Sequence, residues 1–228
     1  MLTIRKSNER GVANHGWLKS FHTFSFADYF DRKYMNFGNL RVINEDKIAA
    51  GTGFGKHPHS DMEIITYVIS GALAHEDSMG NASVILPGEV QIMSAGTGVF
   101  HSEFNHSKTE ETHLLQIWIL PKIKQIESRY DQKSFSQKGD FVLVVSGSGR
   151  DGSIQINQDA EIFLGKFEAE KNLDFAIKAG RKIWIQMISG EMLVNGASLE
   201  TGDAIAVENE NSINLKSTKN SEFLLFDL

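Results

Sequence analysis

Four side chains in two short motifs could hold a metal ion: His57 and His59 in His57-Pro58-His59, and His101 and Glu103 in His101-Ser102-Glu103. Three imidazoles and a carboxylate suit a first-row divalent transition metal and leave coordination positions open for a substrate. Each motif spaces its two groups two residues apart in a stretch that reads as strand. Residues i and i+2 of a strand share a face, so each strand offers its pair to one side. Two such strands lying side by side would aim all four groups at one point. A single H-x-H arises readily by chance on a surface, whereas two matched pairs in glycine-rich contexts argue against that reading. Glu63 lies four residues beyond His59 and has the same parity, so periodicity leaves Glu63 and Glu103 both open as the carboxylate ligand.

The elements that must position these groups are short strands. Residues 64–69, 83–86, 90–93, 114–120 and 141–145 are β-branched or aromatic runs, punctuated by Gly71, Gly80-Asn81, Pro87-Gly88 and Gly147 to Gly149. Short helices are expected over 26–32 and 122–128. Even spacing of short strands argues for a sandwich or barrel. An internal repeat sets the domain count. Val68-Ile-Ser-Gly71 recurs as Met187-Ile-Ser-Gly190, Pro87-Gly88-Glu89 as Thr201-Gly202-Asp203, and 114–120 has a counterpart in 222–228. The chain therefore reads as two tandem antiparallel barrels, residues 1–134 and 135–228, joined within 130–139. Aligning the halves on Gly71 and Gly190 puts Ala176, Lys178 and Lys182 under His57, His59 and Glu63. Aligning on Gly88 and Gly202 puts Leu215 and Ser217 under His101 and Glu103. The second barrel is thus expected to be degenerate, without metal, and a packing partner for the first.

The 228 residues suffice for a substantial core, with 41% apolar and 23% charged residues. Basic residues number 23 and acidic ones 29, for a net charge of −6, and no basic stripe of the kind that neutralises phosphate is present, so no nucleic-acid partner is expected. Cysteine is absent, which excludes disulfides and thiolate ligands. Charges stand within the first ten residues and no long apolar run follows, so neither signal peptide nor membrane span is expected and the cytoplasm is the default. Among the remaining histidines, His15 and His22 sit in an aromatic-rich segment as satisfied, half-buried groups. His75 is expected to face solvent, His106 to lie in an exposed loop, and His113 opens a strand. Phe54, Phe100 and Trp118 could wall an apolar pocket for a flat aromatic ligand, although core packing is the commoner use of such residues.

The run from Gly51 to Glu63, GTGFGKHPHSDME, resembles the first cupin motif, G-x5-H-x-H-x3-E. Gly88, Gly96, His101 and Asn105 resemble the second, with Ser94 where proline is usual and a longer spacing before His101. HPHSDMEIITYVISG, QIMSAGTGVFHSE and NHGWLKSFHTFSFADYF are similar to signatures of the pirin family within the cupins, closest to bacterial pirin-like quercetin 2,3-dioxygenases. The resemblance covers nearly the whole chain. It implies an all-β bicupin fold of jelly-roll type with a few short helices. It also implies metal ligation by His57, His59, His101 and Glu103, which chooses Glu103 over Glu63. The implied cofactor is one divalent transition metal, with Fe(II) the first expectation and Mn, Ni, Cu, Co or Zn as alternatives. The implied activity is opening of the central ring of a flavonol such as quercetin by O2, with Glu103 as catalytic base. The alternative it implies is a metal-binding regulator that modulates a partner protein without turnover. A monomer is expected.

Overall fold

Alternating apolar and polar residues, cut by turns, produce strands throughout residues 1–135 and 139–228, the part of the chain that the computed structural model describes. The first are β1 (Leu2–Arg5), β2 (Gly11–Asn14), β3 (Leu18–His22), β4 (Leu40–Ile48), β5 (Gly53–His59) and β6 (Glu63–Ser70). Then come β7 (Leu73–Asp77), β8 (Ala82–Ile85), β9 (Glu89–Ser94), β10 (Val99–Asn105), β11 (Thr112–Ile119) and β12 (Arg129–Ser134). The remainder holds β13 (Phe141–Ser146), β14 (Ile154–Gln155), β15 (Glu161–Phe167), β16 (Asn172–Ala176) and β17 (Ile183–Ser189). It ends with β18 (Glu191–Val194), β19 (Ala197–Glu200), β20 (Ala204–Val207), β21 (Ser212–Ser217) and β22 (Ser221–Asp227).

In the N-terminal barrel the sheets run β12–β9–β6–β11–β4–β3–β2 and β5–β10–β7–β8. In the C-terminal barrel they run β1–β20–β17–β22–β15–β13 and β16–β21–β18–β19. The order β9–β6–β11–β4 recurs as β20–β17–β22–β15, and β5–β10–β7–β8 recurs as β16–β21–β18–β19, so the repeat is structural. Gly71 and Gly190 occupy the same turn, with φ of 80° and 84°. A Cβ on Gly190 would lie 2.1 Å from the Asn220 carbonyl oxygen, which excludes a side chain there.

The sheets of the N-terminal barrel close on Leu18, Ile48, Val68, Leu73, Ile85 and Leu114. Those of the C-terminal barrel close on a larger cluster that includes Ile185, Met187, Met192, Ile213, Leu215, Phe223 and Leu225. Fully burying one such side chain contributes about 1.5–3 kcal/mol, so each barrel has a driving force of its own.

The boundaries differ from the expected 1–134 and 135–228. Residues 1–10 belong with the C-terminal unit and 154–158 with the N-terminal one. The reason is pairing: β1 is an edge strand on β20, from Leu2 opposite Val207 to Arg5 opposite Ala204. Lys6 adds an ion pair to Asp203 at 2.7 Å. Asn157 in turn accepts from the Lys122 backbone N–H at 2.7 Å. Of the expected linker, 130–134 are strand paired with β9 and 136–138 lie outside the described residues.

Neither expected helix forms. Phe26 and Tyr29 close on each other as a bridge, with Ala27 left-handed at φ 48°. Gln125, at φ 56°, donates its backbone N–H to Asp61 at 2.7 Å, which fixes a loop instead. Among the described residues helical geometry is limited to single 3-10 turns at Ser7–Glu9 and Arg150–Gly152. None of them is long and apolar enough to cross a membrane.

Candidate metal centre

Strand pairing brings the two motifs together. Across β5 and β10, His57 lies opposite His101 and His59 opposite Val99. Across β10 and β7, His101 lies opposite Asp77 and Glu103 opposite His75, with no shift of register. Between β5 and β10 the register does shift: the three-residue step from Phe54 to His57 faces the two-residue step from Glu103 to His101. This bulge in β5 turns Phe54 and His57 toward the same interior, against simple parity. Gly53 permits it, because a Cβ there would sit 2.2 Å from the Glu103 carbonyl oxygen.

The His57, His59 and His101 rings pack with centroids 4.4 to 4.9 Å apart. One ligand atom from each lies within 4.8 Å of the others, and the same holds for a second set, His75, His101 and Glu103, that shares His101. The His57 Nδ1–H donates to the Gly55 carbonyl at 2.8 Å, which leaves Nε2 as the lone-pair nitrogen. His101 is buried, and among the described residues neither of its ring nitrogens has a hydrogen-bond partner. An unpaired buried polar atom costs about 1–3 kcal/mol, which an ion at His101 would offset. Burial, reinforced by the neighbouring imidazoles, holds His101 down to about 3 and His59 down to about 4. Both are therefore neutral near pH 7, the form in which imidazole binds a cation. The donor set fits a divalent ion.

Glu103 is buried, and Gln116 Nε2 donates to its two carboxylate oxygens at 3.1 and 3.0 Å. Thr66 Oγ1 stands 3.5 Å from the first of these and donates to Gln116 Oε1 at 3.2 Å. Burial pushes the Glu103 carboxyl up to about 7, against the opposing effect of those hydrogen bonds. Glu63 is elsewhere occupied. It accepts from Ser94 Oγ at 2.8 Å and from the Asn157 backbone N–H at 3.1 Å, and it belongs to neither histidine set.

The centre opens into a cavity of about 530 Å³. Phe26, Tyr29, Phe54, Ile64 and Trp118 give it apolar walls, with Trp118 edge-on to His59 at 5.1 Å. The Trp118 indole N–H is buried without a partner among the described residues. One stretch of wall is polar, lined by Ser20, His22, Asn44, Asp46 and Gln116. Thr66, Gln116, Asn44 and His22 form a row across β6, β11, β4 and β3. His22 Nδ1 contacts Asn44 Oδ1 at 2.8 Å, and Ser20 donates to Asp46 beside them. Burial raises the Asp46 carboxyl to about 7. The C-terminal barrel has Ile185, Leu225 and Phe163 at the equivalents of Thr66, Gln116 and Asn44. The inward row is thus polar in the N-terminal repeat and apolar in the C-terminal one.

Register also corrects the expected equivalences. Leu73 pairs with Asn105 as Met192 pairs with Ser217, so Ile213 and Leu215 stand under His101 and Glu103. Phe175, opposite Ile213, stands under His57, opposite His101. Bulges and unequal loops displace sequence alignment by one or two residues, and the true equivalents are apolar core.

Other expectations divide. His75 is buried rather than solvent-facing, because Asp77 accepts from its Nε2 at 3.3 Å and Tyr130 stacks on it at 4.9 Å. Phe100 is 49% exposed and lies outside the cavity, whereas Phe54 and Trp118 line it. His22 is buried and His15 exposed, and both border the cavity. His106 is exposed, and His113 pairs with Glu45 at 2.9 Å. Sequence reasoning missed Gln116, Thr66, Ser20, Asn44 and Asp46. The available signal was parity: Leu18 and Ile48 face the core, so Ser20, His22, Asn44 and Asp46 must face inward too.

Two barrels of this strand order, with a histidine–carboxylate cluster inside the first, define a bicupin with a metal-capable N-terminal barrel. The chain belongs to the pirin family: residues 3–119 match the pirin family model, and 143–228 match that of the quercetinase C-terminal cupin domain. It is 50% identical over 228 residues to a quercetin 2,3-dioxygenase of Escherichia coli K12, covering 100% of this chain and 99% of that one. A putative quercetin 2,3-dioxygenase of Pasteurella multocida is 44% identical over 232 residues, with full coverage of both. The crystal structure of the bacterial pirin YhhW from Escherichia coli in complex with nickel(II) superposes with a TM-score of 0.97 at 50% identity, covering 100% of this chain and 99% of that one.

Proposed function

We propose that this protein is a metal-dependent dioxygenase that opens the central ring of a flavonol with O2, and that His57, His59, His101 and Glu103 hold its divalent ion. The observation that carries this reading is the convergence of neutral imidazoles and one buried carboxylate on an aromatic-walled cavity. A volume of about 530 Å³ is in the range of small-molecule sites. The names of the relatives supply the substrate class. Nickel(II), which the Escherichia coli protein binds, is the ion to load first, with Fe(II) next.

When bound, such an ion lowers the pKa of a hydroxyl that coordinates it. Glu103, buried in the cavity wall, would take the proton of the flavonol 3-hydroxyl as general base. Gln116 and Thr66 fix its direction. Phe54, Phe26 and Trp118 flank a flat ring system, while Trp118 Nε1–H and the Ser20, His22, Asn44 and Asp46 row offer partners to ring hydroxyls. O2 then adds to the flavonolate, two carbon–carbon bonds of the central ring break, and one carbon leaves as carbon monoxide. The C-terminal barrel contains no histidine, and we assign it no ion.

Quercetin mixed with the nickel(II)-loaded protein is expected to shift its long-wavelength absorption band, and the chelator-stripped protein to leave the band unchanged. An unshifted spectrum with the loaded protein would remove the substrate assignment.

A further inference from the structure

We propose that Asp77, His75 and His101 form a hydrogen-bonded chain that selects the nitrogen His101 presents to an ion. The inference rests on the ion-holding role assigned above to His101, but on no step of a reaction. Asp77 and His75 alternate with His101 and Glu103 across β7 and β10, all four on the interior face. The Asp77 carboxylate can only accept, so His75 carries its proton on Nε2, 3.3 Å from Asp77 Oδ2. Its Nδ1 is then a lone pair, and it is buried without a partner among the described residues.

His101 presents the complementary problem. A neutral imidazole has one lone pair and one N–H, and both His101 nitrogens are buried without a partner among the described residues. Holding an ion uses the lone pair and leaves the N–H unmatched. The His75 ring is 5.3 Å from the His101 ring, centroid to centroid. If the His101 N–H donates to His75 Nδ1, three orphaned atoms become one ion contact and one hydrogen bond. Histidine ligands generally donate their second nitrogen in this way, and His57 does so to Gly55.

The surroundings hold His75 in place for this task. Asp77 Oδ1 accepts the backbone N–H groups of Met79 at 2.9 Å and Asn81 at 3.1 Å, and Oδ2 accepts Asn81 Nδ2 at 2.8 Å. Tyr130 lies flat on the His75 ring at 4.9 Å, and its hydroxyl is held by Gln132 at 2.7 Å and by Ser83. His75 and Asp77 are thus positioning residues for His101.

Asp77→Asn tests the chain at constant volume. Its amide oxygen can still accept from the Met79 and Asn81 backbone N–H groups, while its NH2 meets His75 Nε2 and drives the His75 proton to Nδ1; the Asn81 side chain turns its own amide oxygen toward that NH2. A donor would then face the His101 N–H. Competition with a chelator for zinc(II) should show an affinity loss of ~10–100-fold, the usual effect of breaking such an outer hydrogen bond. Long-range 15N–1H spectra of the zinc(II)-loaded wild type should show His75 protonated on Nε2 and not coordinated, and those of Asp77→Asn should show it protonated on Nδ1. His75→Gln keeps an acceptor oxygen and should lose less affinity than His75→Ala. Unchanged zinc(II) affinity in Asp77→Asn, equal losses in the two His75 variants, or a zinc-coordinated His75 nitrogen would each overturn the proposal. The wild-type tautomer decides alone if a variant does not fold. A wild type that binds no zinc(II) would overturn the ion-holding role itself, and this chain with it.

Discussion

Replacing Glu103 by glutamine is expected to slow flavonol ring opening by ~10²–10⁴-fold while nickel(II) content stays near the wild-type value. Glutamine keeps a carbonyl oxygen that can face an ion, but it has no basic site for the 3-hydroxyl proton. The substitution also changes the neighbourhood in a known way. Gln116 Nε2 now donates to both carboxylate oxygens, at 3.1 and 3.0 Å, and one of them becomes an NH2 group. A donor facing a donor in a buried site costs about 1–3 kcal/mol, so a modest drop in unfolding temperature should accompany the rate loss. Quercetin should still shift its absorption on binding. Steady-state oxygen uptake, metal analysis and the binding spectrum together check this. A variant that turns over at the wild-type rate would exclude Glu103 as the base.

The second large effect is on the ion. His59→Ala removes one of three imidazoles and should weaken nickel(II) binding by more than the ~10–100-fold typical of outer-sphere changes. The fold should survive, because His59 is half-buried at the end of β5 and the N-terminal core of Leu18, Ile48, Val68, Leu73, Ile85 and Leu114 does not include it. Chelator competition gives the affinity, and thermal unfolding of the stripped variant gives the stability. Unfolding at room temperature would show that the ion serves as a structural staple of the barrel instead.

The parts of this site that lie along one strand were legible in the sequence, and those that lie across strands were not. His57 with His59, and His101 with Glu103, need only period-two parity, and the strand runs and the repeat are equally local. The row from Thr66 through Gln116 and Asn44 to His22 needs the register of four strands, which no single segment states. The bulge that turns Phe54 inward depends on Gly53 meeting the backbone of β10. His75 read as a solvent-facing group in a polar run, because its burial depends on the turn Asp77 makes with Asn81 and on Tyr130 from β12. The loop over 122–128 read as helical because its partner, Asp61, is 64 residues from Gln125.

The dioxygenase assignment is tested by simultaneous recording of oxygen consumption and carbon monoxide release, with quercetin and a panel of related flavonols, by the protein stripped of metal and then reloaded with nickel(II) or Fe(II). The stripped protein is expected to be inactive and the reloaded one to consume oxygen and release carbon monoxide in equal amounts, with Glu103→Gln nearly silent in both channels. A fully loaded wild type that binds ion at His57, His59, His101 and Glu103 yet takes up no oxygen with any flavonol or related enol would contradict that assignment.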